Sequence, residues 1–457
     1  LMFKKMGIKT IILAAGQGTR MKSNTAKVLH KIAGKPMLQR VVDTANQLDS
    51  QTIVVYGHDA EQVIKKTIGH NIRWVEQKQQ LGTGHAVQQA IAELADDDLV
   101  LILYGDVPLI KKATLANMLA VVDNKTMSLL TVKLNDATGY GRIVRDNGRV
   151  VKIVEQKDAT QAQRQISEVN TGIMAIKGDQ LRSCLSKLKN NNAQNEYYLT
   201  DIIEMLVESG VSINTTHPDN EHEVQGVNSK LQLNQLERYQ QRLIAEDLME
   251  QGVTLTDAKR LDVRGELIIN GQDIFIDCNV IFEGKVTLGS NVSIGANCVI
   301  KNAQIDDDAQ IYAHSVLEDC CVGKATKVGP FARIRPGTVL GDNSQVGNFV
   351  EVKKTNLGKG SKINHLSYIG DAEVGQRVNI GAGTITCNYD GVNKSKTTIE
   401  DGAFIGSDTQ LVAPVTVGKN ATIAAGTTLT KNAAANTLSL SRTKQTTLKG
   451  WKRPTKD

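Results

Sequence analysis

An aliphatic residue recurs every six positions in the second half of the chain, and no other feature constrains the fold as strongly. Glycine often follows it, and single five-residue steps, Ile300 to Ile305 and Val352 to Leu357, shift the phase without ending it. The repeated positions are Leu288, Ile294 and Ile300, then Val322, Val328, Ile334, Leu340, Val346 and Val352, and finally Ile399, Ile405, Leu411, Val417, Ile423 and Leu429.

A six-residue period has a simple structural meaning. Each unit makes one short strand and a turn, so three units complete a triangular coil whose aliphatic residues stack inward on those of neighbouring coils. An aromatic content of only 4% fits a narrow interior. The period therefore predicts a solenoid of parallel strands.

The first 230 residues instead alternate strand and helix signals. The runs KTIILAAG, QTIVVYG and DLVLILYGD predict strands, and PMLQRVVDTANQL, opened by Pro36, and GTGHAVQQAIAELA predict helices. RIVRDNGRVVKIVEQ predicts a hairpin with Asn147-Gly148 as its turn. This alternation predicts an α/β Rossmann-like domain, a mainly parallel sheet with helices on both faces. Ligands of such sheets bind beyond the carboxyl ends of the strands.

Between the two halves, LQLNQLERYQQRLIAEDLME has helical apolar spacing and lacks glycine and proline. We therefore expect an N-terminal domain over residues 1–230, a linker helix over 231–251 and the repeat domain over 252–457. Two or three domains also suit a length of 457 residues.

Composition excludes several classes of protein. A net charge of +6 is mild for this length and is no footprint for nucleic acid. No apolar run approaches the ~20 residues of a membrane span. Lys4 and Lys5 precede an apolar stretch, but it is short and runs into Gly16, which favours strand then loop over a signal peptide. Six cysteines without CxxC pairing favour the cytoplasm. The basic C-terminal cluster is interpreted as a solvated tail: Lys449, Lys452, Arg453 and Lys456.

The glycine-rich loop LAAGQGTRM directly follows the first predicted strand. Gly16 and Gly18 allow close approach of backbone N–H groups to phosphate, and Arg20 and Lys27 add positive charge. The spacing matches neither a Walker A loop nor G-x-G-x-x-G. On its own, such a turn is purely structural about half the time.

Further motifs follow in order: LGTGHA, LYGDVPL, GYGRIV, VEQKDA, NTGI and GVN. With the loop and the repeats, they closely resemble the bifunctional bacterial N-acetylglucosamine-1-phosphate uridyltransferase/glucosamine-1-phosphate N-acetyltransferase family, from about Ile11 to the C-terminus. One departure is Ala26, because the family lysine commonly follows proline. The resemblance implies a left-handed parallel β-helix and a cytoplasmic homotrimer.

For the first half, the resemblance implies uridylyl transfer from UTP to N-acetylglucosamine-1-phosphate. The attacking phosphate oxygen is already anionic, so the task is alignment and charge neutralisation. Asp106 and Asn228 would hold Mg²⁺, and Arg20 and Lys27 would stabilise the triphosphate. On residue type alone, Asp106 also suits a strand end and Asn228 a polar linker. The implied UTP and UDP-N-acetylglucosamine contacts are Leu13, Ala14, Ala15, Gly16, Lys27, Gln77, Gly82, Thr83, Tyr104, Gly105, Asp106, Gly141, Glu155, Asn170 and Asn228.

For the second half, the implied reaction is acetyl transfer from acetyl-CoA to glucosamine-1-phosphate. A lone histidine is usually structural, but neutral imidazole suits removal of the sugar ammonium proton, the role that the resemblance gives to His365. The implied contacts to the sugar phosphate are Arg335, Lys353, Tyr368 and Asn379, on successive coils. Those to acetyl-CoA are Ala382, Asn388, Tyr389, Ser407, Ala425 and Arg442.

The six-residue period fails over TCNYDGVNKSKT, between Ile385 and Ile399. Two interpretations stay open for this segment, since long loops in repeats are functional or mobile. It is either a disordered excursion or a loop that reaches a neighbouring subunit, where Asn388 and Tyr389 complete the site.

Three other functions compete with the two-site hypothesis. A single-function nucleotidyltransferase with a regulatory β-helix, of ADP-glucose pyrophosphorylase type, leaves His365 unexplained. An acyltransferase with a degenerate first domain conflicts with intact Lys27 and Asp106. A purely structural solenoid conflicts with Arg335 and Lys353 near His365. We favour acetylation first and uridylylation second, giving UDP-N-acetylglucosamine for peptidoglycan and lipopolysaccharide synthesis.

Overall fold

The computed structural model describes residues 7–57, 60–69, 71–442 and 444–455. Lys4, Lys5 and Lys456, which entered the predictions above, lie outside these ranges. The chain divides into two compact units, Leu1–Gln240 and Gln241–Asp457. No helix of the described residues is long and apolar enough to span a membrane.

The first unit contains a nine-stranded sheet and the two-stranded ribbon β2–β3. Its strands are β1 (Ile8–Ala14), β2 (Lys31–Ile32), β3 (Lys35–Pro36), β4 (Gln51–Tyr56), β5 (Arg73–Glu76), β6 (Leu99–Tyr104), β7 (Thr126–Lys133), β8 (Arg142–Asp146), β9 (Arg149–Val154), β10 (Glu168–Lys177) and β11 (Ser212–Thr216). Its helices are α1 (Met37–Asn46), α2 (Ala60–Lys66), α3 (Thr83–Gln89), α4 (Lys112–Ala120), α5 (Gln161–Arg164), α6 (Gly178–Leu185) and α7 (Ile202–Glu208), and α8 (Lys230–Glu250) continues into the second unit. The 3₁₀ turns of this unit are Thr19–Met21, Lys27–Leu29, Ile91–Glu93, Leu199–Asp201 and Glu221–Val224.

The large sheet has the order β11-β7-β10-β6-β1-β4-β5, with the β8–β9 hairpin attached to β10. β1 pairs in parallel with β4 and β6, as predicted, and β5, which was not predicted, pairs in parallel with β4. Ile11 and Ile12, adjacent on β1, belong to different apolar clusters, so helices cover both faces. β10 is antiparallel to β6 and β7, because the hairpin and a short helix lead into it without a crossover.

Two local predictions need correction and one is confirmed. The helix predicted over GTGHAVQQAIAELA ends at Gln89, because the following amides bond three residues back and tighten the chain into the 3₁₀ turn Ile91–Glu93. Pro36 ends β3 immediately before α1 and is not its first residue. The hairpin turns at Asn147 (φ 47°) and Gly148 (φ 80°), the left-handed pair of a type I′ turn.

Helix α8 contributes to the core of each unit. Leu236 packs with Met21 and Met37 of the first unit. Ala245 and Leu248 belong to the apolar core of the second unit. The division between units therefore falls inside one continuous helix, after Gln240.

The second unit is a parallel β-helix, the solenoid that the period predicts, and it is consistent with the left-handed form. One sheet of this unit contains Thr254–Leu255, Phe275–Ile276, Ser293–Ile294, Gln310–Ile311, Lys327–Val328, Gln345–Asn348, Lys362–His365, Asn379–Ile380, Phe404–Ile405, Thr422–Ile423 and Leu438–Ser439. The other contains Leu261–Ile269, Val280–Leu288, Val299–Ile305, Val316–Val322, Arg333–Ile334, Thr338–Leu340, Glu351–Leu357, Tyr368–Val374, Ile385–Cys387, Thr397–Ile399, Gln410–Val412, Val415–Val417 and Thr428–Leu429. A single 3₁₀ turn, Ala258–Arg260, precedes the first long strand among the described residues.

The repeated aliphatic residues fill the interior, and none of them is more than 8% exposed. The five-residue steps occur where one strand bends around a corner through a left-handed residue. Asn302 (φ 45°) makes this bend within Val299–Ile305 and Lys354 (φ 45°) within Glu351–Leu357. Asn302 Nδ2 also donates to Asp319 Oδ1 on the next coil at 2.9 Å. A tight corner therefore saves one residue and accounts for the phase shift.

Candidate functional sites

Lys27, Asp106 and Asn228 are far apart in sequence and meet in the first unit. Lys27 Nζ lies 2.5 Å from Asp106 Oδ2 and 3.1 Å from Asn228 Oδ1. Asp106 follows β6, Asn228 precedes α8, and the amide of Val227 donates to the Asp106 carbonyl at 2.9 Å. The lysine and aspartate side chains are only 13% and 15% exposed. A partly buried cation thus faces two oxygens at the carboxyl edge of the parallel strands.

The glycine-rich loop closes against this lysine. Gly18 has φ 62°, and a Cβ built there would lie 2.7 Å from Lys27 Cβ, so only glycine fits. Arg20 is exposed on the turn Thr19–Met21 and forms no ion pair with a described residue. The loop borders a cavity of about 250 Å³, lined by Ala14, Ala15, Gly16, Gln17, Ala26, Lys27, Val28, Gly57 and Val63.

The β1 and β6 ends meet where predicted, since the Gly105 amide donates to the Leu13 carbonyl at 2.9 Å. Tyr104 ends β6, and Gly172 leaves room for its ring, because a Cβ there would lie 2.5 Å from Tyr104 Cε2. Burial, followed by the negative charges of Glu155 and Asp106, raises the pKa of Tyr104 far above its usual range. Tyr104 therefore remains a neutral hydroxyl beside the acids Glu155 and Asp106.

Gln77, Gly82 and Thr83 form one cluster. The buried Gln77 amide donates to the Gly82 carbonyl at 3.2 Å, and Thr83 Oγ1 accepts from the Leu199 amide at 3.2 Å. Gly82 has φ 112°, and a Cβ there would lie 2.6 Å from the Tyr197 carbonyl oxygen. The segment around Tyr197 supports this cluster, but it carries no motif from which this role could be predicted.

Gly141, Glu155 and Asn170 also come together. The Asn170 amide donates to the Gly141 carbonyl at 2.8 Å, and a Cβ at Gly141 would lie 3.3 Å from Glu155 Oε1. Thr200, another residue missed from sequence, donates to Glu155 Oε1 at 3.0 Å. Burial raises the pKa of Glu155, while the Thr200 hydrogen bond opposes that shift.

In the second unit, three of the predicted acetyl-CoA residues, Ala382, Ser407 and Ala425, align with His365 along one corner. The Gly383 amide bonds the His365 carbonyl at 3.3 Å, that of Asp408 bonds Ala382 at 2.7 Å, and that of Gly426 bonds Ser407 at 2.8 Å. These bonds make His365, Ala382, Ser407 and Ala425 equivalent positions on successive coils, and Arg442 Nε donates to the Ala425 carbonyl at 3.2 Å. We call His365, Ala382, Ser407 and Ala425 the corner column.

The His365 side chain is exposed and lies outside the apolar interior of the β-helix. Its Nδ1 lies 3.0 Å from Asn348 Oδ1, on the preceding coil. Ser367 Oγ donates to the His365 carbonyl at 2.8 Å and fixes the backbone there.

Arg335, Lys353 and Tyr368 lie on adjacent coils of one sheet. Arg335 Nη1 forms an ion pair with Glu351 Oε1 at 2.6 Å, and Glu351 pairs in register with Tyr368. Lys353 pairs in register with Gly370, and the Tyr368 ring would have to shift to admit a side chain there. Asn379 instead lies in the sheet that carries His365, next to its strand. Glu351 could not be predicted from the sequence, because its ion pair with Arg335 joins two different coils and no local motif marks it.

The segment that interrupts the period is a short, hydrogen-bonded excursion. Tyr389 forms a β-bridge with Lys394, and the Ser395 amide donates to the Asn388 carbonyl at 2.9 Å. The disordered alternative is therefore wrong. Asn388 is buried against its own chain, with Nδ2 2.5 Å from Asp371 Oδ2, whereas Tyr389 is exposed. Of this pair, Tyr389 is the residue available to another subunit.

Comparison with known families agrees with this division. Residues 10–166 match the MobA-like NTP transferase domain, residues 263–357 the GMPPB C-terminal domain, and residues 396–431 the bacterial transferase hexapeptide family (six repeats). Fold and sites thus define a nucleotidyltransferase domain followed by a hexapeptide-repeat transferase domain.

Similarity to curated relatives extends over nearly the full chain. It is 56% identical over 451 residues to the bifunctional protein GlmU of Marinobacter nauticus, covering 98% of this chain and 99% of that protein. It is 55% identical over 453 residues to the bifunctional protein GlmU of Pseudoalteromonas atlantica, covering 99% and 100%. The chain belongs to the family of bifunctional GlmU proteins, in agreement with the resemblance found from its motifs.

Proposed function

We propose that the protein is a bifunctional enzyme that makes UDP-N-acetylglucosamine at two separate sites. Acetyl-CoA acetylates glucosamine-1-phosphate in the second unit. UTP then uridylylates the resulting N-acetylglucosamine-1-phosphate in the first unit, with release of pyrophosphate. The observation that carries this function is the meeting of Lys27, Asp106 and Asn228 beside the glycine-rich loop.

In uridylyl transfer, a sugar-phosphate oxygen attacks the α-phosphorus of UTP, and the bond to pyrophosphate breaks. Both partners are polyanions, so catalysis requires alignment and neutralisation of charge. Lys27 and the exposed Arg20 supply fixed positive charge, and the loop amides around Gly16 supply hydrogen-bond donors. The Gln77 cluster would bind the uracil, and the Glu155 cluster the N-acetylglucosamine.

The first site also fits Mg²⁺. Asp106 and Asn228 direct a carboxylate and an amide oxygen at one cation, and such hard oxygen donors suit magnesium. The described part of the chain contains no group of three or more His, Cys, Asp or Glu side chains placed to hold a metal by themselves. Asp106 and Asn228 would therefore supply only part of the coordination of Mg²⁺. Phosphates and water would complete the coordination, as is usual for magnesium. A bound Mg²⁺ would neutralise charge on the phosphate oxygens.

In acetyl transfer, the sugar amine attacks the thioester carbon, the carbon–sulfur bond breaks and CoA leaves. The amine must first lose its ammonium proton, which His365 accepts. Arg335 and Lys353 would bind the phosphate, and Tyr368 and Asn379 the sugar. Beyond His365, the corner column has only the small side chains of Ala382, Ser407 and Ala425, and pantetheine would lie along them. Arg442, which donates to the Ala425 carbonyl at the end of the column, would pair with a CoA phosphate.

We further propose a cytoplasmic homotrimer in which Tyr389 reaches the site of a neighbouring subunit. All six cysteines are free thiols, which fits a reducing compartment. Light scattering should give three times the chain mass. Mixed assemblies of His365→Ala and Tyr389→Ala chains should recover acetyl transfer that neither variant has alone; failure to recover it in verified mixed trimers would exclude the shared site.

Two assays on the full chain test the proposed function. Glucosamine-1-phosphate and acetyl-CoA should release free CoA, and N-acetylglucosamine-1-phosphate, UTP and Mg²⁺ should release pyrophosphate. Pyrophosphate release without CoA release would instead establish a single-function nucleotidyltransferase. CoA release alone would show that the first unit is degenerate.

A further inference from the structure

We infer that Asn348 is a positioning residue for acetyl transfer, whose side-chain oxygen holds His365 in the tautomer that leaves Nε2 free to accept a proton. The inference rests on the proposed acetyl transfer.

The geometry of the corner supports this role. Asn348 ends the strand Gln345–Asn348, His365 ends Lys362–His365, and the two residues pair in register. They therefore occupy equivalent corner positions, and Asn348 extends the corner column by one coil. Its Oδ1 lies 3.0 Å from His365 Nδ1. The His365 carbonyl accepts hydrogen bonds from the Ser367 hydroxyl and the Gly383 amide, so the backbone that carries the ring is held in place.

The chemistry of imidazole gives the contact its consequence. A neutral ring carries one N–H and one lone pair, and only the lone pair accepts a proton. An amide oxygen only accepts hydrogen bonds, so its contact with Nδ1 places the hydrogen on Nδ1 and the lone pair on Nε2. If the Asn348 amide were turned so that its nitrogen faced Nδ1, it would donate a hydrogen bond to Nδ1. The ring hydrogen would then lie on Nε2, which could no longer accept a proton.

The same contact favours the protonated state that forms during acetyl transfer. After Nε2 takes the proton, Nδ1–H remains a donor to Asn348 Oδ1, now from a charged ring. Hydrogen bonds from an ionised donor are stronger than neutral ones. Asn348 thus contributes more after proton transfer than before, which is the requirement for lowering a barrier.

Three full-length variants test the inference. Asn348→Ala removes the acceptor, and Asn348→Asp keeps an oxygen at the same place. The matched control is Asn356→Ala, which removes another asparagine hydrogen bond between coils, from Nδ2 to Glu373 Oε1 at 2.9 Å. Each variant is assayed for kcat and KM of CoA release, and its histidine tautomers are read from the ring ¹⁵N shifts of histidine-labelled protein. The His365 signals are assigned by their loss in His365→Gln.

We expect Asn348→Ala to lower kcat by about 10- to 100-fold, the cost typical of losing a partner that orients a metal-bound imidazole. Its KM for glucosamine-1-phosphate should stay unchanged, and His365 should lose the Nδ1–H signature. Asn348→Asp should restore both kcat and that signature, and Asn356→Ala should alter neither.

Two results would overturn the inference while wild-type CoA release stands. One is a wild-type His365 with its hydrogen on Nε2. The other is an Asn348→Ala variant with wild-type kcat. Absence of CoA release from the wild type would instead refute the proposed acetyl transfer itself.

Discussion

The two candidate sites are assembled in opposite ways. The first gathers Lys27, Asp106 and Asn228 from three separate connections, so each group depends on its own loop. The second places His365 and its neighbours at one repeated corner, so a single backbone register positions all of them. Loops around a sheet allow groups of different chemistry to converge. A repeat places equivalent side chains in a straight row, and such a row suits an elongated thioester donor.

The sites also differ in burial. Lys27 and Asp106 are largely enclosed and paired, whereas His365 is exposed. A substitution in the first site therefore disturbs neighbouring charges as well as substrate binding. A substitution in the corner column should affect the chemistry and little else.

Asp106→Ala should have the largest effect. It removes a proposed Mg²⁺ ligand and leaves Lys27 without its carboxylate, and two losses of about 10² each would lower uridylyl transfer by about 10⁴-fold. Pyrophosphate release measures this loss. CoA release from the same preparation should be unchanged, and a parallel fall would contradict separate sites.

His365→Ala should lower acetyl transfer by about 10³-fold, since it removes a general base. Its unfolding midpoint should match wild type because the side chain is exposed. CoA release is the assay, with pyrophosphate release as internal control. Retained acetyl transfer would assign the proton to another residue.

Ala425→Leu should obstruct the corner column. Ala425 is exposed, and a leucine there would narrow the path proposed for pantetheine without entering the core. We expect the KM for acetyl-CoA to rise about tenfold, a loss of about 1.4 kcal/mol of binding. Ala435→Leu, at another exposed position, is the control. An equal rise in both variants would show that the column does not bind the donor.

Asp201→Asn tests the half-buried acids of the first unit. Burial, aided by the charges of Glu155, Glu204 and Asp158, raises the pKa of Asp201 to about 6. Because the folded pKa is raised, the folded state holds the proton more tightly, and stability falls as pH rises from the unfolded pKa of about 3.9 towards 6.

Asparagine removes that penalty, so the variant should be more stable than wild type at pH 8, by the order of 1 kcal/mol after allowance for solvent screening. The gain should vanish near pH 4. Urea unfolding followed by Trp74 fluorescence, in a Trp451→Phe background, measures it. Glu208→Gln, an exposed acid at the end of α7, should show no such pH dependence; the same dependence in both would refute the burial argument.

Ala26→Pro should have the smallest effect. Ala26 has φ −50°, within the range of proline, and it borders the cavity beside Lys27. Proline should stabilise the first unit by about 0.4–1 kcal/mol through the entropy of the unfolded chain. Ala33→Pro is the contrasting variant, because φ 46° and an amide bonded to Glu237 make that position incompatible. Destabilisation by Ala26→Pro would show that the folded backbone at this position does not accept proline.

Periodicity and motifs predicted much of this molecule because they report local rules. The repeat of Leu288, Ile294 and Ile300 is a direct record of which residues face inward, and Lys27 and Asp106 stand in recognisable motifs. The contact of Asn348 with His365 depends on cross-coil register, which no local pattern reveals. Tyr197 and Thr200 support the first site from a segment without a motif, and the reversal of β10 depends on how its connection packs.

The most direct test of two independent sites is a mixing experiment with Asp106→Ala and His365→Ala chains. Each is supplied with glucosamine-1-phosphate, acetyl-CoA, UTP and Mg²⁺, alone and together, and UDP-N-acetylglucosamine is measured by chromatography. Neither variant should form the product alone, and the mixture should form it through released N-acetylglucosamine-1-phosphate. A mixture as inactive as its components, although each retains its own partial reaction, would contradict the account.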